Sequence, residues 1–173
     1  LGIAGDSVTG ITRAYLDKNV GTNKTVTATG ATLSDGNNGL NYNLSYANSS
    51  VSAITPKAIT LTGITADNKV YDGTTTATVN TSGVTNATWV TAGMIVGDAL
   101  TVSATGTFAD KNAGTSKVVT LNSTYGGADA GNYNITSQVN TTADITPKSL
   151  TVTGLSAPSS KVYDGTTTAT LLT

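Results

Sequence analysis

Lys69-Val70-Tyr71-Asp72-Gly73-Thr74-Thr75-Thr76-Ala77-Thr78 returns letter for letter as Lys161-Val162-Tyr163-Asp164-Gly165-Thr166-Thr167-Thr168-Ala169-Thr170. Ten identical residues do not recur by chance, so the chain is internally repeated, and the length of the repeat decides the fold. Four other matches fix that length. Asp17-Lys18-Asn19-Val20-Gly21-Thr22-Asn23-Lys24 is answered by Asp110-Lys111-Asn112-Ala113-Gly114-Thr115-Ser116-Lys117, and Gly5-Asp6 by Gly97-Asp98. Asn41-Tyr42-Asn43-Leu44 is answered by Asn132-Tyr133-Asn134-Ile135, and Ile54-Thr55-Pro56-Lys57 by Ile145-Thr146-Pro147-Lys148. The unit is therefore about 92 residues, with one-residue slips in its loops. In this frame residues 1–57 are the C-terminal part of a first repeat, 58–148 a complete repeat, and 149–173 the N-terminal part of a third. Leu1 is not a natural start, so the chain reads as a piece of something longer.

Composition sets the class. Of 173 residues, 38% are hydrophobic and only 11% charged, well under the usual quarter. Every acid is Asp, helix formers other than Ala and Leu are scarce, and Thr, Val, Asn, Ser and Gly dominate. That is the composition of an all-β protein. Within 58–148, short alternating runs separated by turn residues predict eight or nine strands: Ala58–Thr62, Asn68–Tyr71, Thr75–Asn80, Val84–Val90, Leu100–Ala104, Thr107–Ala109, Lys117–Leu121, Tyr133–Thr136 and Val139–Ile145. The expected architecture is a tandem of Ig-like sandwiches, each of two antiparallel sheets, forming an elongated molecule. Core candidates are Val84, Trp89, Ile95, Leu100, Val102, Phe108, Val119, Leu121 and Ile135, with Tyr15 standing in the first unit where Phe108 stands in the second. Ser149–Thr153 repeats the first strand of the unit.

A net charge of −1 without a basic cluster gives no electrostatic support for nucleic acid or an anionic membrane as partner. No apolar run approaches membrane-spanning length, so no membrane insertion is expected. The chain has no Cys, which argues against disulfides and zinc thiolates, and no His, which removes the commonest general base. Without Cys, His or Glu, no spacing of the remaining groups suggests catalysis.

The motifs read structurally. Asp72-Gly73 and Asp164-Gly165 predict hairpin turns, with the Asp carboxylate taking nearby amides and the Gly supplying positive φ. Tyr71 and Tyr163 are expected to lay a ring face on the core with the hydroxyl at the rim. Asp17-Lys18-Asn19 and Asp110-Lys111-Asn112 offer the oxygen ligands that calcium takes, yet each has one carboxylate, which favours a solvated turn; calcium at a domain junction stays open. Lys57 and Lys148 read as linker lysines at the joints, an isopeptide bond being the alternative. Thr-x-Thr runs such as Thr25–Thr29 put Thr on one sheet face, as ice-binding surfaces do, but Thr on a solvent-facing strand needs no special purpose.

Taken together, Lys-Val-Tyr-Asp-Gly-Thr-Thr, Gly97-Asp98, Asp110–Lys117, Gly131–Ile135 and the closing Ile-Thr-Pro-Lys resemble the YDG-type repeat, which is similar to the MBG-type repeats of large bacterial exoproteins. Filamentous-haemagglutinin-like adhesins are among those proteins. The resemblance implies an extracellular or bacterial cell-surface location. It implies a structural stalk or fibre repeat of an adhesin or biofilm-matrix protein, with no catalytic residues to carry over. Two alternatives stand beside it: a self-assembling fibre subunit whose chains complete each other head to tail by strand exchange, and a polysaccharide-binding module. The expected partners are neighbouring repeats or like chains end to end.

Overall fold

The structure is a computed structural model that describes residues 3–169. In the first part of the chain five strands form: β1 (Ser7–Thr9), β2 (Thr12–Tyr15), β3 (Gly21–Thr29), β4 (Thr32–Ser34) and β5 (Ser49–Ile54). They make one antiparallel three-stranded sheet, β2-β3-β5, and a separate pair, β1-β4. The two pieces share one register, with Thr9 opposite Thr32 and Thr12 opposite Thr29. What parts them is Gly10 and Gly30, both at φ +72. The left-handed backbone that glycine accepts turns both arms of a single hairpin out of the ladder at the same level.

The complete unit carries β6 (Lys57–Thr60), β7 (Thr65–Ala66), β8 (Lys69–Val70), β9 (Thr76–Ala77), β10 (Val79–Asn80), helix α1 (Asn86–Thr91), β11 (Thr101–Phe108), β12 (Gly114–Gly126), β13 (Tyr133–Thr136) and β14 (Asn140–Thr146). A 3-10 turn, Ala130–Asn132, leads into β13. Five strands form the main sheet in the order β8-β14-β12-β11-β9, and β13-β6 and β10-β7 are separate pairs. The hairpin β11–β12 runs unbroken from Thr101 opposite Gly126 to Phe108 opposite Val119. Inward-facing side chains alternate along it, so Phe108, Val119 and Leu121 are buried while their neighbours face out. From outside the main sheet come Ile59 and Leu61 on or just past β6, Ile64, and Trp89 of α1. Trp89 meets the Tyr125 ring edge to face at 6.3 Å. Gly106 is buried where a Cβ would lie 2.5 Å from Val79, so close approach requires glycine there.

The fold is thus mostly β, as composition implies, and several local expectations are corrected. Val84–Val90 is not a strand: Asn86–Thr91 is helical. Thr85 caps it in a box with Thr88. Gly93 (φ +111) closes it in a Schellman motif, its N–H donating to Val90 and the Met94 N–H to Trp89. The unit is not purely antiparallel, because β13 pairs with β6 and β14 with β8 in parallel. Leu100–Ala104 and Thr107–Ala109 belong to a single strand region, since Thr105 and Gly106 continue the ladder between them. Trp89, Leu100, Phe108, Val119 and Leu121 are core residues, and Val84, Val102 and Ile135 pack half-buried against them. Ile95 is not core but 53% exposed, lining a cleft at the edge of the unit. Ile59, Leu61, Ile64, Ala77, Met94, Tyr133, Ala143 and Ile145 complete the core.

The expected strand at Ser149–Thr153 does not form. Its counterpart β6 is held by β13, and the described residues after 148 include no equivalent of β13. Leu150 is 87% exposed where Ile59, its match, is 3% exposed. The first part shows the complement of this: Tyr15 occupies the place of Phe108, opposite Val26 as Phe108 is opposite Val119, yet it is exposed. Among the described residues, every buried hydrophobic side chain lies between Ile59 and Ile145.

Candidate functional site: the tied loop and the joint between repeats

The repeated decamer is not a hairpin turn. Strands β8 and β9, which flank Asp72-Gly73, sit at opposite edges of the five-stranded sheet. The loop therefore crosses from one edge to the other, and Lys69 ties it down. Its Nζ donates to Asp72 Oδ1 (2.9 Å), to the Thr74 carbonyl (2.9 Å) and Oγ1 (3.1 Å), and to the Thr76 carbonyl (3.0 Å). The same ammonium lies 5.4 Å from the centre of the Phe108 ring. Asp72 accepts from the Thr74 N–H and hydroxyl, and Gly73 takes φ +80. The Thr74 amide, followed by the Lys69 ammonium, holds the Asp72 carboxyl down at about 2.

The second copy adopts the same tie, and the described residues around it include no strand. Lys161 Nζ donates to the Thr166 carbonyl (3.0 Å) and Oγ1 (3.0 Å), to the Thr168 carbonyl (2.7 Å), and lies 2.9 Å from Asp164 Oδ1. Gly165 is at φ +74. The motif is therefore encoded locally, in its own lysine, aspartate and threonines. Tyr71 packs half-buried against the core, as expected, but Tyr163 is 94% exposed, because the sheet that would receive its ring is not beside it.

A second constellation joins the first part of the chain to the complete unit. Lys18 reaches across to two carboxylates, Asp98 at 2.6 Å and Asp129 at 3.0 Å. Beside it the Val20 N–H donates to Asn132 Oδ1 (2.9 Å), and Asn132 Nδ2 donates to Asn19 Oδ1 (3.2 Å). Tyr133 fixes the socket from beneath: its hydroxyl donates to Asp98 Oδ2 (2.7 Å) and accepts from the Ile95 N–H (2.9 Å). Asp98 is drawn below the usual carboxylate range by Lys18 and then by Tyr133. Asp129 is lowered by the Ala99 N–H and then by Lys18, against the opposing charge of Asp98. The Lys18 ammonium is raised by bonds to both carboxylates. The joint borders a cavity of about 610 Å³ lined by Ile54, Thr55, Lys57, Val96 and their neighbours. Lys57, expected in the linker, is instead the first residue of β6, opposite Tyr133. Among the described residues it makes no ion pair with an Asp.

The carboxylates considered for calcium are engaged by lysine instead. Asp17 is paired with Lys24, and both oxygens of Asp110 take Lys117 at 2.8 Å. Among the described residues no group of three acidic side chains is placed to hold a metal. Sequence reasoning used Gly97-Asp98 and Asn132-Tyr133 only as markers of the period and did not see them as a site. The signal was present: these pairs recur in step with Asp-Lys-Asn, so three dispersed motifs repeat as one set.

No helix among the described residues is long and apolar enough to cross a membrane. No curated protein and no solved structure matches the chain. The model of the YDG domain matches residues 2–50 and 55–142, and those stretches contain both the complete tied loop and the two faces of the joint. The chain belongs to the YDG domain family.

Proposed function

We propose that this chain is a stretch of tandem structural repeats, each of about 92 residues and folded as a two-layer, Ig-like β-sandwich, in the stalk or fibre of a secreted bacterial adhesin or matrix protein. The observation that carries this reading is the joint. A short linker containing Pro56 and a lysine seated between two carboxylates couple one unit to the next, which is what a load-bearing rod requires. Nothing in the reading calls for catalysis. Small-angle X-ray scattering tests it. The expected pair-distance distribution is asymmetric with a long tail and does not change on dilution. A symmetric distribution from a compact particle would overturn it, as would saturable binding on a glycan array.

A second reading, a fibre subunit whose chains complete one another by strand exchange, is favoured by one observation. Leu150, Val152 and Leu155 are exposed at positions matching the buried Ile59, Leu61 and Ile64, and β2-β3-β5 offers a bare sheet face. Against it, Arg13 stands where the complete unit needs Gly106, which opposes close packing of a borrowed strand. A polysaccharide site draws less support. The exposed Tyr15 and Tyr163 match Phe108 and Tyr71, which pack in or against the core of the complete unit, so their exposure follows from missing neighbours and not from a binding face.

A further inference from the structure

The loop that follows β4 is built round a carboxylate. Asp35 Oδ1 accepts the N–H of Asn37 (2.8 Å) and of Gly39 (2.8 Å), and Oδ2 accepts that of Asn41 (3.1 Å). Side chains close the loop further: Asn37 Nδ2 donates to Asn41 Oδ1 (2.9 Å), and Asn41 Nδ2 to the Asp35 carbonyl (3.3 Å). The Gly39 amide, then that of Asn37, hold the Asp35 carboxyl below the usual carboxylate range. In the matched loop of the complete unit Gly126 stands in place of Asp35.

Inside this clasp lies Asn38-Gly39, the one Asn-Gly pair in the sequence; the matched loop has Asp129-Ala130. The clasp and the pair thus occur together. Asn-Gly is a reactive pair, because glycine has no Cβ to shield its nitrogen. That nitrogen can close on the Asn carboxamide: the N–Cγ bond forms, the Cγ–Nδ2 bond breaks, and ammonia leaves with the amide proton. Water then opens the cyclic imide at either carbonyl, giving aspartate or isoaspartate. The balance is one water consumed, one ammonia released and one negative charge gained, with no oxidation or reduction. Asn38 is exposed, so water reaches it.

The clasped loop is held out of the reactive conformation. Asn38 is at φ +55, where a non-glycine residue is confined to ψ of about +30 to +60°. The Gly39 nitrogen then lies across the Cα–C bond from Cβ and points away from the carboxamide. Attack requires rotation about that bond, which pulls the Gly39 N–H off Asp35. The three Asp-Gly pairs are spared for a different reason. Ring closure there needs a protonated carboxyl, and Asp35, Asp72 and Asp164 each accept the N–H two residues on, which favours the ionised form.

We propose that Asn38-Gly39 is a self-modification site, converting to aspartate and isoaspartate with loss of ammonia, and that Asp35 sets its rate by clasping the Gly39 amide. The change is one-way. The isoaspartate product lengthens the backbone of residue 38 by one methylene, so the clasp does not re-form in its original register. Nothing is required of a neighbouring repeat.

The full chain is incubated in mildly alkaline buffer, folded and in urea, and each Asn is followed by peptide mass spectrometry, with the aspartate and isoaspartate products separated by retention. In urea Asn38 is expected to deamidate before every other Asn. In the folded chain it is expected to be at least about tenfold slower, the factor one charge-assisted hydrogen bond supplies. Asp35→Ala should bring the folded rate up towards the urea rate and leave the urea rate unchanged, with β3 amides still protected from hydrogen exchange. A second measurement needs no variant: the Gly39 amide of the parent should show an exchange protection that matches the ratio of the two deamidation rates, since both await the same opening. Asn38 reacting no faster than other Asn in urea overturns the site. Equal folded and urea rates, an unprotected Gly39 amide, or an Asp35→Ala chain that keeps its β3 ladder and reacts no faster overturns the role of Asp35.

Discussion

Asp72 shows how a single side chain carries a repeat signature. Its carboxylate takes the Thr74 amide and hydroxyl and the Lys69 ammonium, and these bonds hold its pKa at about 2 in place of 3.8. The sign follows from linkage: the folded state binds fewer protons than the unfolded one between those values. The stabilisation is fully present above pH 3.8 and is lost as pH falls towards 2. The Asp72→Ala variant is therefore expected to melt below the parent at neutral pH, with the gap narrowing steadily as pH falls from 4 to 2, followed by circular dichroism melts. A gap that stays constant across that range would show that the carboxylate is not held by these bonds. The role of Asp72-Gly73 as a turn was legible, since Asp before Gly is a turn signature. That the turn spans two sheet edges was not, because nothing local in Lys69–Thr78 says which strands lie beyond it.

At the scale of elements, strand positions were largely readable from alternation, and the helix was not. Asn86–Thr91 is six residues, fewer than two turns, so it offers no helical period, and its Thr and Val residues prefer strands. Two caps and a buried Trp89 override that preference: Thr85 and Thr88 cap its start, and Gly93 closes its end. Thr85→Ala removes the oxygen that accepts from the Thr88 N–H and is expected to cost about 1 kcal/mol of unfolding free energy. Urea denaturation measures it, as a lower midpoint at unchanged slope. No loss on removing Thr85 would mean that Trp89 and the Gly93 closure seat the helix without it. The parallel pairs were equally hidden. Strand direction depends on which distant segments meet, and a list of short alternating runs is silent on that.

For the whole molecule, the period offered a frame for the repeats, and the residues that tie the first part of the chain to the part after it lie more than a hundred positions apart, 113 between Asn19 and Asn132. Lys18 sits far from Asp98 and Asp129 in sequence and within 3.0 Å of both in space. Its side chain is 67% exposed, while that of Asp98 is 9% exposed, so its main effect is on the two acids and on the alignment of units, not on global stability. Two carboxylates facing one site disfavour each other's charge unless a cation lies between them. In Lys18→Ala both Asp98 and Asp129 are therefore expected to titrate at higher pH than in the parent, read from side-chain carboxyl carbon shifts by NMR. Core amide shifts around Trp89 and Phe108 should stay unchanged. The same variant should also widen the distribution of distances between fluorophores placed on the two parts, since the bonds that remain, from Val20 and to Asn19, both converge on Asn132 and leave the joint free to pivot. Unaltered carboxyl titrations would place Lys18 in solvent and remove the latch. Shifted titrations with an unchanged distance distribution would keep the latch and assign the alignment of units to Pro56 and the linker instead.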